Sequence, residues 1–138
     1  MYRVLEIIRT SSDNKESQSL YEFTDYISAK GEYETKLGAD MKSALYNGYI
    51  LILFDDNGTT YDNASKGEGF SPRLIDVLVR NGSVIPTVAK YETVNDVHGN
   101  YHSKWGAAIK NTAVSSIMLY GIGDKGQQIC FKHWVRPQ

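Results

Sequence analysis

Gly31-Glu32-Tyr33-Glu34-Thr35-Lys36-Leu37-Gly38-Ala39-Asp40-Met41-Lys42 returns later in the chain as Gly99-Asn100-Tyr101-His102-Ser103-Lys104-Trp105-Gly106-Ala107-Ala108-Ile109-Lys110. Extended without gaps at this shift of 68 residues, Gly31–Tyr61 and Gly99–Ile129 agree at nine of 31 positions. Unrelated sequences would agree at about two, because common residue types each occur at a frequency of only several per cent. Further toward the N-terminus of each copy the shift becomes 70, pairing Arg3 with Arg73, Glu6 with Asp76, Tyr21 with Tyr91 and Glu22 with Glu92. That change places a two-residue length difference in the loop before the helix. A repeat of this period dictates architecture, since each copy is one supersecondary unit. The expectation is two copies related by a pseudo-two-fold axis.

Each copy reads the same way. Tyr2–Thr10 is rich in β-branched and apolar residues and reads as a strand, followed by polar Ser11–Ser17 and a second strand over Gln18–Phe23. In the second copy Arg73–Arg80 and Val84–Tyr91 are the strands, joined by Asn81-Gly82. Asn-Gly is a strong hairpin signal because both turn positions need positive φ. Pro86 cannot donate to a ladder, so its strand is expected at an edge or a bulge.

A helix follows in each copy, with Thr24 or Asp25 as the expected first cap and Asn95 or Asp96 as the second. On a helical wheel Tyr33, Leu37, Met41, Ala44 and Leu45 form a core-facing stripe, as do Tyr101, Trp105, Ile109, Thr112 and Ala113. Gly38 and Gly106 stand inside these helices at about 1 kcal/mol relative to alanine, which predicts a close neighbour, such as the other helix. Tyr49–Asp55 with Thr59–Asn63, and Ile117–Ile122 with Gln127–Val135, read as closing hairpins around Asp56-Asn57-Gly58 and Asp124-Lys125-Gly126.

The fold class expected is therefore α+β: a duplicated ββαββ (or βαββ) unit with antiparallel sheets and two helices packed on one face. Residues 1–63 form the first unit, 64–72 a connector and 73–138 the second, together one compact domain. Net charge is −1, yet residues 1–68 hold seven Lys/Arg against twelve Asp/Glu, and residues 69–138 hold eight against four. The halves are then −5 and +4, which reads as complementary surfaces or as a basic face on the C-terminal half for an anionic partner such as a nucleotide or nucleic acid; +4 falls short of the basic stripe of a duplex-DNA binder. No run reaches the roughly 18 apolar residues of a membrane helix, so no membrane partner is expected. The N-terminus carries Arg3 and Glu6 where a signal peptide needs an apolar stretch, and the single Cys130 fits a reducing compartment. The expected location is the cytoplasm.

Most motifs dissolve on inspection. Gly121-Ile122-Gly123-Asp124-Lys125-Gly126 spells a dinucleotide loop, but a strand follows where the phosphate-binding helix should begin. Asp55-Asp56-Asn57 lacks the glycine and distal glutamate of a calcium loop. His98 and His102 are spaced for one helix face, but Gly99 stands where a zinc peptidase needs glutamate, and His133 or an acid would have to supply a third ligand. No nucleophile–base–orienter set is visible, and no cofactor is expected.

The retained set Tyr33/Tyr101 and Lys36/Lys104, with Trp105, is the candidate ligand site. Tyrosine in the core with lysine stems along its rim explains it structurally. The functional alternative is a pair of symmetric pockets, each an aromatic platform and an ammonium for a small anion or nucleotide. Arg3/Arg73 with Glu6/Asp76 reads as ion pairing on strand surfaces. Trp134 and Arg136 form an aromatic–cation pair suited to an interface, with Tyr120 or Tyr49.

The Tyr-x-x-Lys-x-Gly-Ala stretch, the strand after it and the Asp-x-Gly hairpin resemble small uncharacterised proteins of phages and mobile elements in Gram-positive bacteria. The resemblance covers about 31 residues in each copy. It implies a cytoplasmic accessory protein of the host cell, with interference in host defence as one role. The leading expectation is a non-enzymatic binding protein that sequesters or blocks a host protein or a small anionic ligand. An enzyme degrading a nucleotide signal and a structural protein of a phage particle are the alternatives, and homo-oligomerisation stays open.

Overall fold

The computed structural model describes all 138 residues. Ten elements follow one another: β1 (Tyr2–Thr10), β2 (Glu16–Phe23), α1 (Tyr26–Lys42), β3 (Tyr46–Asp55), β4 (Thr60–Lys66), β5 (Arg73–Arg80), β6 (Ser83–Lys90), α2 (Val94–Lys110), β7 (Val114–Ile122) and β8 (Gln128–Val135). The protein is α+β, with two four-stranded antiparallel sheets ordered β2-β1-β3-β4 and β6-β5-β7-β8. Residues 1–70 with 124–127 form one compact unit, and residues 71–123 with 128–138 the other.

The two units share more than strand order. Both helices have 17 residues. The β1–β3 ladder slips between Arg9 and Thr10, and the β5–β7 ladder slips at the corresponding Val79 and Arg80. The β3–β4 ladder slips between Leu53 and Phe54, the β7–β8 ladder between Gly121 and Ile122. Bulges insert a residue at a defined place and bend the strand, so their recurrence ties the copies together position by position.

Strand register corrects where the copies differ in length. Val4 pairs with Tyr21 and Leu74 with Ala89, so Tyr21 corresponds to Ala89 rather than to Tyr91. The two extra residues of the first copy therefore lie in its β1–β2 hairpin, not before the helix. The second copy closes that hairpin with Asn81 (φ 52°) and Gly82 (φ 78°), the two positive-φ residues that the Asn-Gly pair promises. Pro86 sits on β6, an edge strand, where its missing N–H leaves no central ladder unpaired. Strand β4 runs on to Lys66, through residues that composition assigns to the connector.

Asp25 caps α1 by accepting from Ser28 N at 2.8 Å. The cap of α2 is Thr93, which accepts from Asp96 N at 3.1 Å, two or three residues earlier than Asn95 or Asp96. Asp96 instead falls in the first turn, where its charge complements the helix dipole.

The buried helix stripes are also rotated from expectation. Ala29, Tyr33 and Asp40 are buried on α1, and Val97, Tyr101 and Ala108 on α2. Met41, Leu45 and Ile109 are exposed. Both helices end at a lysine, Lys42 and Lys110, so Ala44, Leu45, Thr112 and Ala113 lie beyond the wheel that placed them in the core. The stripe thus passes along Lys36 and Lys104 instead of along Met41 and Ile109.

Each helix covers one face of its own sheet. Val4, Ala29, Tyr33, Tyr49, Leu51 and Leu53 form the core under α1. Leu74, Val97, Tyr101, Ala108, Val114, Ile117 and Leu119 form the core under α2. The alternate residues Leu5, Ile7, Ile50, Ile52 and Phe54, and Ile75, Met118, Tyr120 and Ile122, are buried as well. Central strands buried on both faces explain why β3 and β7 read as nearly continuous apolar runs.

The helix glycines have no close neighbour. A Cβ added at Gly38 or Gly106 would meet no atom within 4 Å, so close approach does not account for either residue. Gly38→Ala and Gly106→Ala should each stabilise the fold by about 0.5–1 kcal/mol, the ordinary helix-interior gain. Chemical denaturation checks this, and a loss of stability in either variant contradicts it.

Candidate functional site

Strand alternation decides what the charged residues can reach. Residues 3 and 6 of one strand point to opposite faces. Arg3 and Arg73 are buried, at 2% and 1% exposure, on the face away from the helices, and are not surface ion-pair residues. Arg3 pairs with Asp56 and lies 3.9 Å from Glu22, while Arg73 donates to the Ser71 carbonyl at 2.7 Å. Glu6 and Asp76 face the helices instead, and there they meet the retained lysines and residue 40.

In the first unit the Asp40 and Glu6 carboxyls are neighbours under α1, and Asp40 Oδ2 is buried without a hydrogen-bond partner. Burial and this second carboxyl push the Asp40 pKa up to about 7, against a smaller opposing effect of Lys36. The Lys36 ammonium lies over the Tyr21 ring at 4.6 Å and 3.7 Å from Glu32. Its hydrogen bond to Tyr21 raises its pKa. Tyr33 is buried in the core, beneath Lys30 at 5.3 Å from its ring. Tyr33 and Lys36 therefore do not converge on one opening.

The second unit is built differently at the same place. Lys104 Nζ lies 3.1 Å from Asp76 Oδ2, with Asp76 10% and Lys104 36% exposed in their side chains. Beside this pair is a cavity of about 180 Å³ lined by Asp76, Leu78, Lys104, Ala107, Ala108, Asn111, Val114 and Ile117. The first unit carries Asp40, Tyr46 and Tyr49 where the second carries Ala108, Val114 and Ile117. Three side chains are smaller in one copy, and the opening lies where that bulk is missing.

Electrostatics restrict what the opening can hold. Two unit charges at 4 Å interact by about 4 kcal/mol at an effective dielectric of 20. A lone anion gains this from Lys104 and loses a comparable amount to Asp76; a lone cation does the reverse. The cavity is also smaller than the roughly 300–1,000 Å³ of drug-sized ligand sites. The symmetric anion or nucleotide pockets weighed as the alternative need Tyr33 and Tyr101 as open platforms, and both tyrosines are buried.

The other singled-out residues have local partners. Tyr101 is buried and its hydroxyl donates to the Phe131 carbonyl at 3.3 Å. Trp105 packs edge-on to Tyr101 at 6.1 Å, with Lys132 over its ring at 4.3 Å. Arg136 caps the end of α2: its Nε donates to Val114 O at 2.8 Å, and its Nη2 to the carbonyls of Ala108, Ile109 and Asn111 at 3.0, 3.0 and 2.8 Å. Its guanidinium also stacks on Trp134 at 4.9 Å, so its donors serve the free carbonyls of a helix end. Tyr120 and Tyr49 are buried and cannot join Trp134 in a surface.

His98 is half-buried and His102 exposed, and no cluster of three His, Cys, Asp or Glu side chains forms around them. Burial raises the Cys130 thiol pKa, against thiolate chemistry. Asp55 accepts from Asn57 N, Thr59 N and the Tyr61 hydroxyl at 2.9, 3.1 and 2.6 Å, which is turn construction rather than cation binding. No helix is long and apolar enough to cross a membrane.

Residue-by-residue reading of the sequence singled out Lys104 but missed Ala108, Val114 and Ile117. Their signal is negative: they are mismatches in the repeat, each smaller than its counterpart. Comparison of the chain with family models, curated proteins and solved structures finds no match.

Proposed function

We propose that the protein is a non-enzymatic binding protein that sequesters a small amphipathic molecule in the cavity beneath α2. The observation that carries this reading is the asymmetry of the copies. At 108, 114 and 117 the second unit has less bulk than the first, next to the nearly buried Asp76 carboxylate and its more exposed Lys104 partner. An opening of about 180 Å³ exceeds the roughly 150 Å³ at which an apolar protein cavity takes up benzene. The setting that the phage resemblance implies is an accessory protein withdrawing a host molecule inside the infected cell.

The test is equilibrium dialysis of concentrated protein against a bacterial metabolite extract, comparing wild type with Ala108→Leu. Enrichment of an intact small molecule by wild type alone is the expected result. Equal enrichment by both proteins removes the cavity as the site. Conversion of an extract component to a product would favour the enzymatic alternative.

A further inference from the structure

We infer that the cavity beneath α2 takes an aliphatic α-amino acid, its ammonium toward Asp76, its carboxylate toward Lys104 and its side chain among Leu78, Ala108, Val114 and Ile117. This deepens the small-ligand reading and rests on it. Charge and shape select the ligand together. Asp76 and Lys104 stand 3.1 Å apart at the wall of a hollow whose other side chains are mostly apolar. A singly charged head meets its match and its like within one contact distance. A zwitterion presents both signs across two adjoining carbon atoms and satisfies both partners.

Access is unequal, and this orients the ligand. Asp76 is the deeper group and Lys104 the more exposed one, so the ammonium enters further and the carboxylate stays near solvent. The branched apolar tail then replaces the volume that Asp40, Tyr46 and Tyr49 occupy at the matching positions of the first unit. The Asp40 carboxyl at that level beneath α1 has a Glu6 partner, whereas Ala108 leaves Asp76 with Lys104. The first unit accordingly lacks the pairing that would read a zwitterion.

Leucine and three of its fragments separate the terms. Isoamylamine lacks the carboxylate, isocaproate lacks the ammonium, and isoamyl alcohol lacks both charges. Titrations of the isotope-labelled protein, followed by amide shifts over residues 104–117, should give leucine at least a tenfold lower Kd than the amine or the acid. In Lys104→Met the advantage over isoamylamine should shrink below about threefold. In Asp76→Asn the advantage over isocaproate should shrink likewise. If either variant loses its folded spectrum, the wild-type ranking decides. Isoamyl alcohol or another fragment binding as well as leucine overturns the amino-acid assignment while leaving a small-ligand site. No response to any of the four, with no enrichment in dialysis, removes both readings.

Discussion

Asp40→Asn should make the protein more stable at pH 8, by roughly 2–4 kcal/mol, and leave it nearly unchanged at pH 4. Asp40 is buried beneath α1, and its pKa is pushed up to about 7 by burial and by the neighbouring Glu6 carboxyl. The unfolded chain holds the same group near its ordinary value of 3.8. A carboxyl whose folded pKa is the higher one favours the folded state while protonated. Its contribution is complete below about pH 4 and is lost as the pH rises through about 7. Asparagine keeps the shape and an N–H donor toward Glu6 but never ionises.

The measurement is urea denaturation of wild type and variant across this range. Only their difference is used, because other carboxylates titrate in both proteins. A difference that does not grow between pH 4 and pH 8, or a variant less stable than wild type at pH 8, would show that Asp40 folds in its charged form. Asp40→Ala tests a separate effect, since it also opens space beneath α1.

Gly48→Ala should be among the most damaging single-methyl additions, lowering stability by roughly 3 kcal/mol. A Cβ there would stand 2.9 Å from the Lys66 carbonyl oxygen, 2.9 Å from the Phe70 ring and 3.0 Å from the Arg9 guanidinium. None of these can retreat freely. Arg9 Nε donates to Asn47 Oδ1 at 2.7 Å, its Nη1 donates to the Glu68 carbonyl at 2.6 Å, and the guanidinium lies over the Phe70 ring at 4.4 Å. Phe70 is 2% exposed, and Lys66 is held in the β3–β4 ladder opposite Tyr49.

For a chain of this length a loss of that size lowers Tm by roughly 6–12 °C, readable by differential scanning calorimetry. A Tm within about 2 °C of wild type would mean that the Arg9 clamp yields easily. The contrast with Gly38→Ala is the useful part: one glycine is required by what stands beside it, the other by nothing in its surroundings.

Much of the architecture was legible because its determinants are local. The Asn81-Gly82 turn, the apolar runs of β1, β3, β5 and β7, and the edge position of Pro86 follow from backbone chemistry within a few residues. The Tyr-x-x-Lys-x-Gly-Ala repetition then made the order of elements in one copy predict the order in the other. The length difference between the copies was misplaced because its determinant is distant in sequence. Tyr21 and Tyr91 look equivalent in an alignment, yet the ladders to Val4 and Leu74 match Tyr21 with Ala89.

A doubled antiparallel α+β chain is written into strand period and turn residues, which are short-range properties. Which helix face is buried, and that Ala108, Val114 and Ile117 leave a cavity beside Asp76 and Lys104, became fixed only in three dimensions. Those outcomes depend on register and on the volumes of residues that meet only once the sheet has formed beneath the helix.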